Sequence, residues 1–286
     1  MKNLIKIEVL VMNDVFFAFL LILIAGLATG VGGLVVLLSK TTNTKFLAIC
    51  LSFSAGVMLY ISFAEIFLEA VEALKDGHGD AMGLLIATAA FFGGIILMAI
   101  IDKFIPHNDR VTEMLESKSG QENSFSQGEK KELKRTGLMS ATALAIHNFP
   151  EGLITFIAFM YDPAMGIAIA IAIVIHNMPE GIAMAAPIYY ATGSKMKAFL
   201  LSVGTGLTQL LGAVVAWLLL RNVFYDDIEA VFGIAFAAVA GIMVFVAIHQ
   251  LLPAAQKYGK HHLVMKWLFA GMAVMAVSLV ALEFVL

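Results

Sequence analysis

The sequence predicts an all-α polytopic membrane protein with eight spanning helices. Of its 286 residues, 60% are hydrophobic and only 14% are charged, a composition too apolar for a water-soluble domain. The apolar residues also form eight runs that each reach the roughly 20 residues needed to cross a bilayer. The predicted helices cover approximately residues 15–39, 46–74, 81–101, 138–160, 163–190, 196–220, 228–254 and 263–285.

The first three predicted helices precede a polar segment. Helix one has four glycines between Gly26 and Gly33, which are typical of close contacts between membrane helices. Helix three ends where residues 102–137 begin, a charged stretch with almost no aromatic residues. We expect this stretch to be a flexible cytoplasmic loop within a single transmembrane domain that comprises residues 1–286.

Helices four and five contain near copies of one polar motif. Residues 145–152 are Ala-Ile-His-Asn-Phe-Pro-Glu-Gly and residues 174–181 are Val-Ile-His-Asn-Met-Pro-Glu-Gly. In each motif the His and Glu are four residues apart, so they share one helix face. Pro150 and Pro179 cannot donate to the preceding turn, so we expect bends that leave backbone carbonyls free. An imidazole, an amide, a carboxylate and a free carbonyl together indicate a cation site.

The depth of the two motifs indicates what kind of cation site they form. One motif precedes the short turn at residues 161–163 and the other follows it. The helical rise puts the centres of both motifs roughly 20 Å below the turn, near the middle of the membrane. Glu151 and Glu180 would each cost several kcal/mol there unless protonated or paired, and a bridging divalent cation removes that cost. The mixed ligands suit exchangeable Zn²⁺, Fe²⁺, Mn²⁺ or Cd²⁺.

Helices two and seven share a short string. Residues 55–59, Ala-Gly-Val-Met-Leu, resemble residues 240–244, Ala-Gly-Ile-Met-Val, and the two helices run in opposite directions in an eight-helix protein. An inverted repeat of three helices on each side of a central pair would produce this pattern, as in many secondary transporters. The alternative is that both strings are packing faces of common composition.

The basic residues predict the orientation of the helices. Of the 18 Lys and Arg residues, all except Lys2, Lys6, Lys75 and Arg221 fall on one side of an eight-helix protein. The positive-inside rule makes that side cytoplasmic. Both termini are therefore predicted to lie outside.

Met58, Glu65 and His249 complete the candidate set, and each has a structural alternative. Met58 is one of 16 methionines, and methionine more often fills a core than binds metal. Glu65 either lines the ion pathway or forms a structural hydrogen bond between packed helices. His249, beside Gln250 at the inner end of helix seven, is an exit-side ligand or a structural residue.

The paired His-Asn-Phe-Pro-Glu-Gly and His-Asn-Met-Pro-Glu-Gly strings resemble the signature of the ZIP (Zrt/Irt-like) metal transporters, and within that family the bacterial ZupT/GufA-like branch. Eight helices, outward termini, a long loop after helix three and the Gly-Leu-Ala-Thr-Gly string at residues 26–30 also match. The resemblance implies import of Zn²⁺ and related divalent cations into the cytoplasm through a mid-membrane site for one or two ions. It further implies a bacterial inner membrane location, a homodimer, and a 3+2+3 arrangement with an inverted repeat of helices 1–3 and 6–8.

The resemblance also assigns metal ligands by position. Helix six departs from the family, because Gln209 stands where relatives often carry a glutamate, and this leaves a second metal site one charge poorer. The metal ligands implied on helices four, five and six are His147, Asn148, Glu151, His176, Asn177, Glu180 and Gln209.

Several other functions are disfavoured by the sequence. The chain has no His-Glu-x-x-His string for a zinc protease, no Gly-x-Ser-x-Gly context for a serine protease and no basic surface for nucleic acid, so we expect neither an enzyme nor a prosthetic group. The expected partners are the transported ion, the lipid bilayer and a second copy of the chain. The alternative function is a proton-coupled transporter or channel for another substrate, since buried His and Glu also relay protons.

Overall fold

The computed structural model describes residues 2–38, 44–103, 127–222 and 228–284, and these residues form helices without any strand. We number eight helices in chain order, three of which are interrupted. They are α1 (Lys2–Leu38), α2 (Thr44–Ile61, a π-helical turn at Ser62–Ile66, then Phe67–His78), α3 (Asp80–Lys103), α4 (Gln127–Tyr161), α5 (Pro163–Thr192), α6 (Lys195–Gly206 and Thr208–Asn222), α7 (Ile228–Phe245, a π-helical turn at Val246–Leu251, then Leu252–Tyr258) and α8 (His261–Glu283).

These helices confirm the predicted all-α polytopic membrane fold. Within the described ranges, 7 helices are long and apolar enough to cross a membrane. The eighth helix is α4.

The helices α1 and α4 begin earlier than predicted, α1 at Lys2 rather than near residue 15 and α4 at Gln127 rather than near residue 138. Residues 127–137 belong to the segment expected to be a loop, but they are helical. Glu, Lys, Leu and Arg are common among them, and all four favour helix. The rest of the predicted loop, residues 104–126, lies outside the described residues, so its flexibility stays a prediction.

Glycines hold the central helices α4 and α5 between α1 and α6. A side chain on Gly32 of α1 would overlap the carbonyl oxygen of Met178 in α5, and one on Gly212 of α6 would overlap that of Phe149 in α4. Small residues let membrane helices approach to backbone contact in this way. The two motif helices are therefore each packed directly against an outer helix.

The other four helices pack as two pairs, α2 with α8 and α3 with α7. Gly56 in α2 lies against the carbonyl of Leu268 in α8, and Gly241 in α7 lies against that of Phe91 in α3. Gly56 and Gly241 hold matching positions in the two similar strings, and each helix then enters a π-helical turn. The inverted repeat and the 3+2+3 arrangement stay predictions. The matched glycines and π-helical turns favour an inverted repeat over two packing faces of common composition.

The connections around α5 set the level of the two motifs. Asp162 caps α5 by accepting a hydrogen bond from the backbone N–H of Ala164 at 2.8 Å, which makes the α4–α5 turn very short. Gly193 ends α5 in the left-handed conformation, with φ of 63°, a conformation that glycine adopts without steric cost. Because the turn is short, α4 and α5 are antiparallel neighbours.

Candidate metal site

The two polar motifs meet in the centre of the protein. Nε2 of His147 and Nε2 of His176 each lie 2.9 Å from Oε1 of Glu151. Nε2 of His147 is also 3.8 Å from Oε1 of Glu180. All four side chains are almost completely buried. The expectation that helices four and five bring their motifs together is thus confirmed.

The two glutamates of the cluster have different surroundings. Glu151 is fully engaged, because Oε1 contacts both imidazoles and Oε2 accepts a hydrogen bond from Nε2 of Gln209 at 2.8 Å. Neither carboxylate oxygen of Glu180 has a hydrogen-bond donor among the described residues. A buried carboxylate that accepts no hydrogen bond is costly, and the contact of Glu180 with Nε2 of His147 is long at 3.8 Å, so Glu180 is the group in this cluster with most to gain from a cation.

Three side chains converge as potential cation ligands. His147, His176 and Glu180 each offer one ligand atom, and these atoms all lie within 4.8 Å of one another. Two imidazoles and a carboxylate form a typical three-residue set for an exchangeable Zn²⁺, with the fourth position left to water or to another side chain. Glu151 lies beside this set and contacts both of its imidazoles.

The asparagines of the motifs present their amide oxygens to the interior. Nδ2 of Asn148 donates to the carbonyl of Thr205 in α6, and Nδ2 of Asn177 donates to the carbonyl of Ala25 in α1, each at 3.0 Å. A carbonyl only accepts hydrogen bonds, so each NH₂ group must face it. Both amide oxygens and Oε1 of Gln209 are buried, and in the described part of the chain they have no hydrogen-bond partner.

The polar cluster separates two apolar clusters. One lies towards the α4–α5 turn and includes Ile154 and Ile173, while the other lies towards the opposite ends of the same helices and includes Ala141 and Ile182. The apolar layers exclude water on both sides, so charges between them interact strongly. This position supports the mid-membrane depth that the sequence predicts for the motifs.

The structure places the three remaining candidates in other surroundings. Met58 is fully buried within the larger apolar cluster, and Glu65 is part of the π-helical turn of α2. His249 lies at the junction of α7 and α3, where Nδ1 is 3.5 Å from Oδ2 of Asp102 and the ring stacks on Phe245. None of these described contacts joins them to the cluster formed by His147, Glu151, His176 and Glu180.

Two hydroxyl residues beside the motifs were not predicted. Oγ of Ser54 in α2 donates to the carbonyl of His176 at 3.4 Å, and the backbone of Thr29 in α1 contacts Gly181. Ser and Thr usually bond to their own helix, as Ser52 and Ser62 do. The sequence therefore carries no signal that distinguishes Ser54 from such residues, whereas Thr29 belongs to the Gly-Leu-Ala-Thr-Gly string at residues 26–30.

A family model described as ZIP zinc transporter matches residues 15–135 and 107–279, which together include both motifs. The chain belongs to the ZIP family. The family resemblance of the two motifs is thus confirmed.

Relatives within the ZIP family are similar over almost their whole length. A protein named zinc transporter ZupT from Chlorobium chlorochromatii is 50% identical over 267 residues, which cover 93% of this chain and 98% of that protein. Proteins of the same name from Chlorobaculum parvum and Clostridium perfringens are 51% and 49% identical, over 93% and 94% of this chain and 98% and 96% of their own lengths.

Proposed function

We propose that this ZIP protein transports divalent metal ions across the membrane, with Zn²⁺ as its principal substrate. The observation that carries the proposal is the convergence of His147, His176 and Glu180 within 4.8 Å in a buried layer. Relatives at about half identity are named zinc transporters, which supports the same substrate. The ion binds the two imidazoles and Glu180, and Glu151, whose Oε1 lies 2.9 Å from Nε2 of both imidazoles, is a further ligand.

The site is suited to several divalent ions. Imidazole, carboxylate and amide oxygen ligands accept Fe²⁺, Mn²⁺ and Cd²⁺ as well as Zn²⁺, because the set contains no thiolate that would favour softer or permanently held metals. We infer that these ions compete with Zn²⁺ for the site. The metal is cargo in this proposal, and the chain acts as a transporter without a prosthetic group or a catalysed reaction.

Transport is inward in this proposal, from the outside into the bacterial cytoplasm. The concentration of Lys and Arg on one side of the eight helices supports a cytoplasmic location of that side, with both termini outside. We place the protein in the inner membrane, as a homodimer.

Proteoliposome uptake tests the proposed function. We expect saturable Zn²⁺ uptake that Fe²⁺, Mn²⁺ and Cd²⁺ inhibit, together with a rise in melting temperature when Zn²⁺ is added to the purified protein. Binding at 100 times the dissociation constant stabilises the folded state by about 2.7 kcal/mol. A proton-coupled transporter for another substrate would show neither result, so the absence of both in folded protein would contradict the proposal.

A second ion beside the first is part of the proposal. The amide oxygens of Asn148, Asn177 and Gln209 are buried and accept no hydrogen bond among the described residues, and we infer that they supply ligands for a second ion that shares Glu151 and Glu180 with the first. Gln209 supplies no charge, and its NH₂ group now donates to Glu151. The second position is therefore the weaker one in this chain.

The substitution Gln209→Glu is expected to strengthen the second ion position. It replaces the hydrogen bond to Glu151 by a contact between two carboxylates, which repel each other. A bound cation would relieve that repulsion. We expect a lower melting temperature without metal, a larger increase on Zn²⁺ addition than in the wild type, and more Zn²⁺ bound per chain at equilibrium. Gln209→Ala serves as control, since it removes the same hydrogen bond without adding charge. Equal Zn²⁺ binding by the two variants would argue against a second ion here.

A further inference from the structure

An apolar groove follows the outside of the protein between α4 and α6. The two helices are in backbone contact near Gly152 and Gly212, but they separate along the first half of α6, where Gly204 has no neighbouring atom within 4 Å of its side-chain position. The groove has a volume of about 620 Å³. Its walls include Leu138, Ala141, Ala145, Leu201, Gly204 and Leu211.

The length of the groove matches one leaflet of a bilayer. On α4 it extends from Leu138 to Phe149, which is about 16 Å at 1.5 Å per residue. This is roughly half of a hydrocarbon core about 30 Å thick. The groove therefore begins near one membrane surface and ends at the depth of the metal site.

Basic residues flank the surface end of the groove on both walls. Oγ1 of Thr208 donates to the carbonyl of Ala145 at 2.9 Å, across a sequence separation of 63 residues. The helices α4 and α6 are parallel, so the same separation places Leu138 about level with Leu201. One helical turn closer to the membrane surface, the separation of 63 residues places Lys134 about level with Lys197. Both lysines are exposed. Each lysine shares a helix face with the groove residue one turn away.

We propose that this groove binds an anionic glycerophospholipid, with an acyl chain between α4 and α6 and the phosphate between Lys134 and Lys197. Any apolar membrane surface is covered by lipid, but a flat surface offers no preference for one headgroup. Here a concave apolar slot is combined with a cation on each wall at headgroup level. Clustered lysines at that level attract anionic lipids, and the slot keeps the chain in place.

The bound lipid would lie directly behind one side of the metal site. The groove lining includes Thr205 and Thr208. The carbonyl of Thr205 holds Asn148, and the hydroxyl of Thr208 contacts α4. An acyl chain packed against these residues stabilises the contact between α4 and α6. Lipid occupancy is therefore expected to raise the melting temperature of the protein.

Native mass spectrometry of the full-length protein, with phosphatidylglycerol or phosphatidylcholine added, tests the proposal. We expect the wild type to retain one phosphatidylglycerol roughly tenfold more strongly than phosphatidylcholine. Gly204→Phe fills the groove and should remove this retained lipid, while the double variant Lys134→Gln, Lys197→Gln should retain both lipids equally. Gly93→Phe is the matched control for Gly204→Phe, because Gly93 also has no atom within 4 Å of its side-chain position. Lys103→Gln is the control for charge.

The thermal shift provides the second readout of the same variants. Phosphatidylglycerol should raise the melting temperature of the wild type and of both controls, but not that of the groove and lysine variants. Equal retention of the two lipids by the wild type would overturn the proposal. Retention of phosphatidylglycerol that neither the groove variant nor the lysine variant weakens would also overturn it. The test does not involve transport, so its outcome is separate from that of the proposed function.

Discussion

Glu180→Gln is expected to abolish saturable Zn²⁺ uptake in proteoliposomes. The substitution keeps the size of the side chain but removes the only carboxylate of the set formed with His147 and His176. It also replaces one of the two buried oxygens that have no donor among the described residues by an NH₂ group. Changes to groups that merely support a metal ligand cost 10–100-fold in affinity, so we expect loss of a ligand to cost roughly 100-fold or more.

The melting temperature of Glu180→Gln without metal should not fall, although its Zn²⁺ uptake is lost. Without metal, Glu180→Gln replaces a buried carboxylate by a neutral amide, so its melting temperature should equal or exceed that of the wild type. The increase on Zn²⁺ addition should disappear. Glu72→Gln, at an exposed position of α2, should change neither uptake nor the thermal shift. Normal Zn²⁺ uptake by Glu180→Gln would exclude Glu180 from the transport route.

Gly152→Ala is expected to damage both the stability of the protein and Zn²⁺ uptake. The new methyl would overlap the carbonyl oxygen of Gln209, so α4 and α6 would have to separate. Overpacking of this kind costs about 1–3 kcal/mol. The separation would also move Gln209 away from Glu151, which it now contacts at 2.8 Å. We expect a lower melting temperature and a roughly tenfold or greater loss of Zn²⁺ uptake.

Gly93→Ala is the matched control for this substitution. Gly93 is also within a helix, but nothing lies within 4 Å of its side-chain position. Alanine favours helix over glycine by up to about 1 kcal/mol, so this variant should be neutral or slightly stabilised and should transport normally. If both alanine variants behaved alike, helix propensity rather than the α4–α6 contact would explain the result.

The helices could be predicted well because the membrane simplifies the problem. Long apolar runs reveal spanning helices by length alone, and the predicted ranges lie within the observed helices or within a few residues of their ends. The early start of α4 was missed because polar, charged residues 127–137 carry no hydropathy signal. The π-helical turns at Ser62–Ile66 and Val246–Leu251 were also missed, since an extra residue in a turn leaves no pattern in an apolar sequence.

The central site was predicted in composition but not in its contacts. Repetition of the motif identified His147, Glu151, His176 and Glu180, and the short turn between α4 and α5 placed them at one depth. The sequence treats the two glutamates alike. The structure distinguishes them, because Gln209 of α6 reaches only Glu151.

The sequence by itself determined the class of the protein, the eight helices found among the described residues and the chemical groups of its central site, because each follows from local composition and spacing. Only the tertiary structure decided which partner each group has. It directs the amides of Asn148 and Asn177 to α6 and α1, brings Ser54 to the backbone of His176 and opens the groove between α4 and α6. These features depend on how closely distant helices approach, and that distance is determined by packing at glycines whose neighbours lie far away in the chain.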